Sequence, residues 1–261
     1  MLEPWITPSL FENLDQSLEI VDEYTLCERM PIEAPTILKQ HWETWTNFDD
    51  FQKIASAGFN VIRIPVGYWA YDNIGSPYVS GADEYLRKAV EWARTTVPPL
   101  KVIVDLHGAP GSQNGYDNSG QRTKTPTWLT DGGANGWTAY QTLCAIEILA
   151  SIYAQPAYEH VVVGIELINE PQGWRLNRSD LAEFYRQGFG RIRQYSGNTV
   201  VVLSDAFEWT SSWNGLLTPQ DNDAQNVAIG QNLNEPMDIS QLAHSSQITI
   251  TTRSFLPRRS Q

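Results

Sequence analysis

Four short apolar runs punctuate the chain: FNVIRIPV (59–66), KVIVDLH (101–107), VVVGIELI (161–168) and TVVVLSD (199–205). Each has strand length, and their near-continuous apolarity is that of strands covered on both faces. The segments between them change period. Asn47 begins a helix that sets Phe48, Phe51, Ile54 and Ala55 on one face, with Gly58 placed to stop it. GADEYLRKAVEWAR (81–94) repeats the pattern with Tyr85, Ala89, Trp92 and Ala93, and GWTAYQTLCAIEILASIYA (136–154) reads as a third helix. SDLAEFYRQGFGRIRQY (179–195) reads as a fourth, opened by a Ser cap. Alternation of this kind predicts parallel strands joined by helical crossovers.

Three stretches depart from the alternation. The opening, with prolines at 4, 8, 31 and 35, reads as irregular. The segment from Gly108 to Asn135 is long, filled with Gly, Asn, Ser, Asp and Pro, and follows a strand; loops of such length are functional or disordered, and this one reads as the wall of an active site. Asn226-Val227-Ala228-Ile229 starts a fifth strand, but Gly230 to Gln261 keeps neither helical nor strand periodicity. The expected organisation is one domain over 1–229 and a loosely ordered tail over 230–261. Asn234-Glu235-Pro236, inside that tail, repeats the tripeptide at 169–171 with no comparable strand feeding it, and is read as coincidence.

Composition narrows the chemistry. With 18 Lys plus Arg against 30 Asp plus Glu, the formal charge of −12 repels nucleic acid and anionic membranes, which favours a neutral partner. The 10 Trp, 11 Tyr and 8 Phe supply flat faces that suit both core packing and sugar rings. No apolar run approaches the roughly 20 residues of a membrane helix, and MLEPWITPSLFE has neither the basic start nor the apolar stretch of a secretion signal. Cys27 and Cys144 permit one disulfide, and two free buried thiols are expected. Asn177-Arg178-Ser179 matches a glycosylation acceptor, a pattern too short to carry weight.

Polar side chains interrupt or end the apolar runs. Asn169-Glu170-Pro171 closes the third, so a carboxyl group stands where a buried strand meets solvent, beside an amide and a stiffened turn. Such a carboxyl suits a general acid aimed at a glycosidic oxygen. Arg63 lies within the first run and His107 ends the second; in a barrel these positions converge. Arg63 serves either a buried pair with Glu166 or the site itself. Asp105 bonds backbone or His107. Glu166 shares parity with Glu170, but four residues at about 3.3 Å set their Cα atoms roughly 13 Å apart, too far for a catalytic pair. No HExxH, paired CxxC, Walker or GxGxxG sequence is present, so neither metal nor cofactor is expected.

LEPWITPSLFE (2–12), RIPVGYW (63–69), DLHGAPGSQNG (105–115), INEP (168–171) and SDAF (204–207) together resemble the fungal exo-β-1,3-glucanases of glycoside hydrolase family 5, from Leu2 to about Ile229. The resemblance implies an α/β fold, a (β/α)8 TIM barrel, and a retaining enzyme releasing glucose from the non-reducing ends of β-1,3-glucan. It implies Glu170 as acid/base, Asn169 as the partner of the sugar 2-hydroxyl, and Glu3, Arg63 and His107 as substrate-binding residues. It also implies an extracellular or cell-wall location. The expected partner is β-1,3-glucan or an oligosaccharide of it, met by a monomer without nucleic acid or membrane.

The sequence departs from that family in one chemical respect. Family members carry the nucleophile in a Gly-Glu-Trp context, and this chain has no Gly-Glu-Trp. The expectation is an incomplete barrel, strands two to five with their helices plus an irregular C-terminal tail, truncated at both ends and of low stability because its edge strands are unpaired. A non-catalytic glucan-binding remnant is the alternative, with Trp5, Trp69, Trp128 or Trp174 stacking on sugar and at least two of them packing the barrel instead. A β-1,4-glucan or mannan hydrolase is the other.

Overall fold

A computed structural model describes residues 2–221, 223–232 and 248–252. Its centre is a parallel sheet in the order β1 to β6: Val61–Gly67, Lys101–Gly108, Val162–Glu166, Val200–Ser204, Val227–Asn232 and Ile248–Thr252. The four expected strands are thus adjacent and parallel, each within a few residues of its predicted place. Two more continue the sheet. β5 runs to Asn232, past the boundary expected at 229, and β6 lies in the stretch expected to be irregular. Asn234-Glu235-Pro236 and the rest of the tail fall outside the described residues.

Helices join the strands as the periodicity predicts. Phe48–Ser56 (α4) precedes β1, Ala82–Thr95 (α5) links β1 to β2, Trp137–Tyr153 (α6) links β2 to β3, and Arg178–Arg193 (α7) links β3 to β4. Asn47 caps α4 by accepting from the amides of Asp49 and Asp50. α7 is capped by Asn177, whose side chain accepts from Ser179 N, rather than by the serine. The opening is also more regular than expected, with Pro8–Glu12 (α1), Glu23–Arg29 (α2) and Ala34–Thr44 (α3). Two of its four prolines, Pro8 and Pro35, sit at the first turns of α1 and α3, where no amide partner is needed, so there they start helices rather than break them.

The helices cover one face of the sheet. Val102, Val104 and Leu106 of β2, Ile165 of β3 with Leu167 just beyond it, and Val201 and Leu203 of β4 join the main core with Leu86, Val90, Ile146, Leu149, Phe184 and Ile192 of the helices. Contact is close: a Cβ on Gly188 would lie 2.9 Å from Leu167 Cδ1. Among the described residues the other face carries a small separate apolar cluster, Ile103, Val202 and Ala228 with Val163 and Val200 packed against it. One-sided helical cover separates this sheet from doubly wound folds and is the layering of a (β/α)8 barrel, of which the described strands form a part. β1 lies at an edge, and Val61 at 39% and Phe59 at 62% exposure show the open flank there.

Candidate active site

The register places two carboxylates side by side. Pro65 pairs with Asp105, and Asp105 with Glu166, so both acids point from adjacent strands to the same uncovered face. Neighbours of like charge so placed repel. Arg63, one row back, neutralises them: Nε donates to Glu166 Oε2 at 2.6 Å, Nη2 donates to Glu166 Oε1 at 2.9 Å, and Nη2 lies 3.1 Å from Asp105 Oδ2. Burial works against the guanidinium charge, but the two carboxylates outweigh it and hold Arg63 above its ordinary range. Glu166 moves upward as well. Burial drives it there, Arg63 pulls it back, and Asp105 pushes it up again. The two directions are compatible because one cation is shared between two acids, and the ion pair with Glu166 is the contact on which the geometry insists.

The same arginine reaches into the pocket, where Nη2 donates to Asn169 Oδ1 at 2.8 Å and thereby fixes the amide orientation. Asn169 Nδ2 then faces His107 Nε2 at 3.3 Å. His107 Nδ1 bonds Asp105 Oδ2, and its Nε2 lies 3.4 Å from Glu3 Oε1. Burial opposes a charge on this imidazole, yet Asp105 above all, with Glu3 helping, raises it to about 9. A doubly protonated ring donates to both acids. Its distance to Asn169 Nδ2 is then a close contact between two donors, leaving that amide free to donate elsewhere.

Glu170 sits on a constrained turn. Its φ of +45° is a left-handed conformation that costs a residue with a Cβ about 1 kcal/mol. The loop after β2 holds it there. Gln113, 1% exposed, donates from Nε2 to the carbonyls of His107 and Asn169, both at 2.8 Å. Asn114 Nδ2 donates to the Glu170 carbonyl at 3.1 Å, and Asn118 Nδ2 donates to Glu170 Oε2 at 2.8 Å. The segment read as a wall does carry these groups, folded around two single turns at Asp117–Ser119 and Gly133–Asn135.

Glu3 reaches the site through residues that the strand pattern did not single out. Fully buried Glu23 accepts from Leu2 N at 2.7 Å and from Trp69 Nε1 at 2.8 Å, tying the start of the chain to the end of β1. Glu3 Oε2 then accepts from Trp5 Nε1 at 2.8 Å while Oε1 faces His107. Arg63, reaching from within β1, thus forms one chain of contacts with Asn169, His107 and Glu3 at the ends of β2 and β3, with Glu170 next in sequence to Asn169. Of the four tryptophans singled out, Trp69 and Trp128 are 1% exposed and pack the core, whereas Trp5 and Trp174 are 52% and 61% exposed. Cys27 and Cys144 are unpaired; Cys27 is buried, its thiol pushed up to about 12 by burial and by Glu23, while Cys144 is half-buried rather than buried. Among the described residues no cluster fits a metal ion and no helix is long and apolar enough to cross a membrane.

Comparison with known proteins gives a consistent picture. The cellulase model of glycosyl hydrolase family 5 matches residues 30–236. A glucan 1,3-beta-glucosidase of Blumeria graminis is 45% identical over 222 residues, covering 84% of this chain and 50% of that protein. One of Pichia angusta is 40% identical over 260 residues, covering 97% of this chain and 57% of that protein. The chain therefore spans about half the length of the curated relatives it matches. Among solved structures, the rutinosidase of Aspergillus niger superposes with a TM-score of 0.75 at 21% identity, over 90% of this chain and 67% of that one, a likeness of fold.

Proposed function

The chain belongs to glycosyl hydrolase family 5, and from that premise we propose that it carries the acid/base side of a retaining, exo-acting β-1,3-glucan hydrolase site. The observation behind this reading is the single contact chain Arg63, Asn169, His107 and Glu3 beside a carboxyl on a held turn. In the proposed reaction Glu170 protonates the glycosidic oxygen as the bond to glucose breaks. Asn118, donating to the same carboxyl, aims it. Asn169 Nδ2 donates to the sugar 2-hydroxyl, because Arg63 occupies its carbonyl oxygen. The cationic His107 turns its Nε2–H, held only at 3.4 Å by Glu3, to a second hydroxyl, and Glu3 accepts from a third. A retaining pathway also needs a carboxylate about 5 to 5.5 Å from the acid to form the glycosyl intermediate. The polymeric substrate places the work outside the cell or at its wall.

Glucose release from laminarin by the purified chain, lost in Glu170→Gln, supports this reading; faster turnover of β-1,4-glucan or mannan would transfer the site to another linkage. The exposed rings of Trp5 and Trp174 favour a second reading, glucan binding without cleavage. Affinity for the β-1,3-linked glucose disaccharide that falls in His107→Ala, with no glucose released from laminarin by the parent, selects it.

A further inference from the structure

Helix α6 is apolar on the wrong side. Its inward face, Ala139, Leu143, Ile146, Leu149, Ala150 and Tyr153, is fully accounted for by the core. Yet its outward face carries Trp137 at 59%, Tyr140 at 51% and Ile148 at 36% exposure. A helix apolar all round belongs in an interior; on a surface its outer face calls for a ligand. The two rings meet with centroids 5.6 Å apart and planes 29° apart, an offset stack that needs no induced fit to offer a flat apolar slab. Polar groups flank it: the Tyr140 hydroxyl lies against Cys144, within the electrostatic reach of Arg191 and Glu147, which pair with each other across α6 and α7.

Position and size identify the occupant. α6 runs antiparallel to the strands, so Trp137 and Tyr140, in its first turn, stand at the same end of the sheet as Glu170. The loop that holds Glu170 leads into that turn and is fastened there, Thr138 Oγ1 donating to Asp131 and accepting from Leu129 N. Two half-exposed rings offer roughly 200 Å², about a quarter of what each partner of a stable protein interface buries. That is too little for a second copy of the chain but enough for one or two sugar rings. The flanking charges neutralise each other, and a chain of net charge −12 repels acidic polymers.

We propose that Trp137 and Tyr140 form a second, non-catalytic site for a neutral β-glucan chain on the outer surface of the barrel, able to hold polymer whose end enters the pocket. This site shares its ligand class with the function proposed above, but not its residues. The test compares the full chain with Trp137→Ala/Tyr140→Ala, Trp137→Phe/Tyr140→Phe and His107→Ala, by electrophoretic retardation in gels containing laminarin and by titration with the β-1,3-linked glucose disaccharide. The alanine pair should weaken laminarin retention roughly tenfold, leave disaccharide affinity within about twofold, and be largely rescued in the phenylalanine pair. His107→Ala should do the opposite, losing disaccharide binding and keeping retention at α6. Parent-like retention in the alanine pair overturns the second site, as does a parent that laminarin does not retard. Equal loss of both ligands in both aromatic pairs also overturns it, as does a dimer that the alanine pair dissociates. Failure of the pocket reading shows instead as no disaccharide binding in any protein.

Discussion

On the helix-covered face of the sheet, Val102, Val104, Ile165, Val201 and Leu203 enter one apolar core; on the open face the same strands present Asp105, His107 and Glu166 beside Ile103, Val202 and Ala228. Alternate residues of one strand therefore meet different physics. The covered face stabilises by apolar area removed from water, at about 25 cal/mol per Å². The open face holds buried charges whose attraction is largely offset by their desolvation. Its value lies in geometry: Arg63 both cancels the Asp105 and Glu166 repulsion and orients Asn169. The covered face makes the fold, and the open face arranges the candidate site at little net gain in stability.

Removing the shared cation is the strongest way to break that contrast. Arg63→Ala leaves buried Glu166 without compensation and Asp105 with His107 alone, and urea unfolding should show a loss of about 3–5 kcal/mol. Replacing the pair together, Arg63→Met with Glu166→Leu, should restore most of it, because the network contributes specificity more than net energy. A double variant as unstable as the single one would show instead that the pair is a net stabiliser. On the covered face, Ile165→Ala should cost about 2–4 kcal/mol through lost area and the cavity left behind. Pocket affinity for β-1,3-glucose oligosaccharides should stay unchanged there, whereas any Arg63 variant should lose it.

Much of this is legible in the sequence, and unevenly so. The covered face announces itself in apolar runs, and the four strands and their helices follow from period alone. Arg63, His107 and Glu170 stand out because each breaks or ends such a run. The two roles weighed for Arg63, pairing with Glu166 and serving the site, do not exclude each other, since the guanidinium that pairs with Glu166 also holds the Asn169 amide. Gln113, Asn118 and Glu23 are hidden for the opposite reason. Their contacts to Trp69, Asn169 and Glu170 span 46 to 56 residues and depend on how loops close, which no local periodicity records. The opening helices escape the pattern because proline reads as a breaker, while α2 is set by Asp22 and Thr25 in a reciprocal cap.

Titration sharpens the comparison on a smaller scale. His107, raised to about 9 from an ordinary 6.5, binds its proton more tightly folded than unfolded. Its contribution is complete below pH 6.5 and is lost as pH rises toward 9, an effect of order 2 kcal/mol. His41, on α3 beside the open flank of β1, is held down to about 4 by burial. Its unfolded form takes up the proton first, so stability falls as pH drops from 6.5 toward 4. Together they predict greatest stability near pH 6.5. Urea midpoints measured from pH 4 to 9 should lose the alkaline limb in His107→Gln and the acid limb in His41→Phe, and an unchanged alkaline limb in the former would reassign that proton.

The smallest expected effect on stability separates site from fold most cleanly. Glu170 is only partly buried, and its turn is held through main-chain carbonyls: Gln113 donates to that of Asn169, and Asn114 to that of Glu170. Glu170→Gln keeps the size of the side chain and an oxygen able to accept from Asn118, so its unfolding free energy should stay within about 0.5 kcal/mol of the parent. What it removes is the proposed capacity to deliver a proton. A stable Glu170→Gln variant that still binds oligosaccharide but releases no glucose, beside a parent that does, would isolate proton delivery from every other task of the pocket. A variant destabilised as much as Arg63→Ala would instead show the carboxylate to be part of the charge network that holds the open face together.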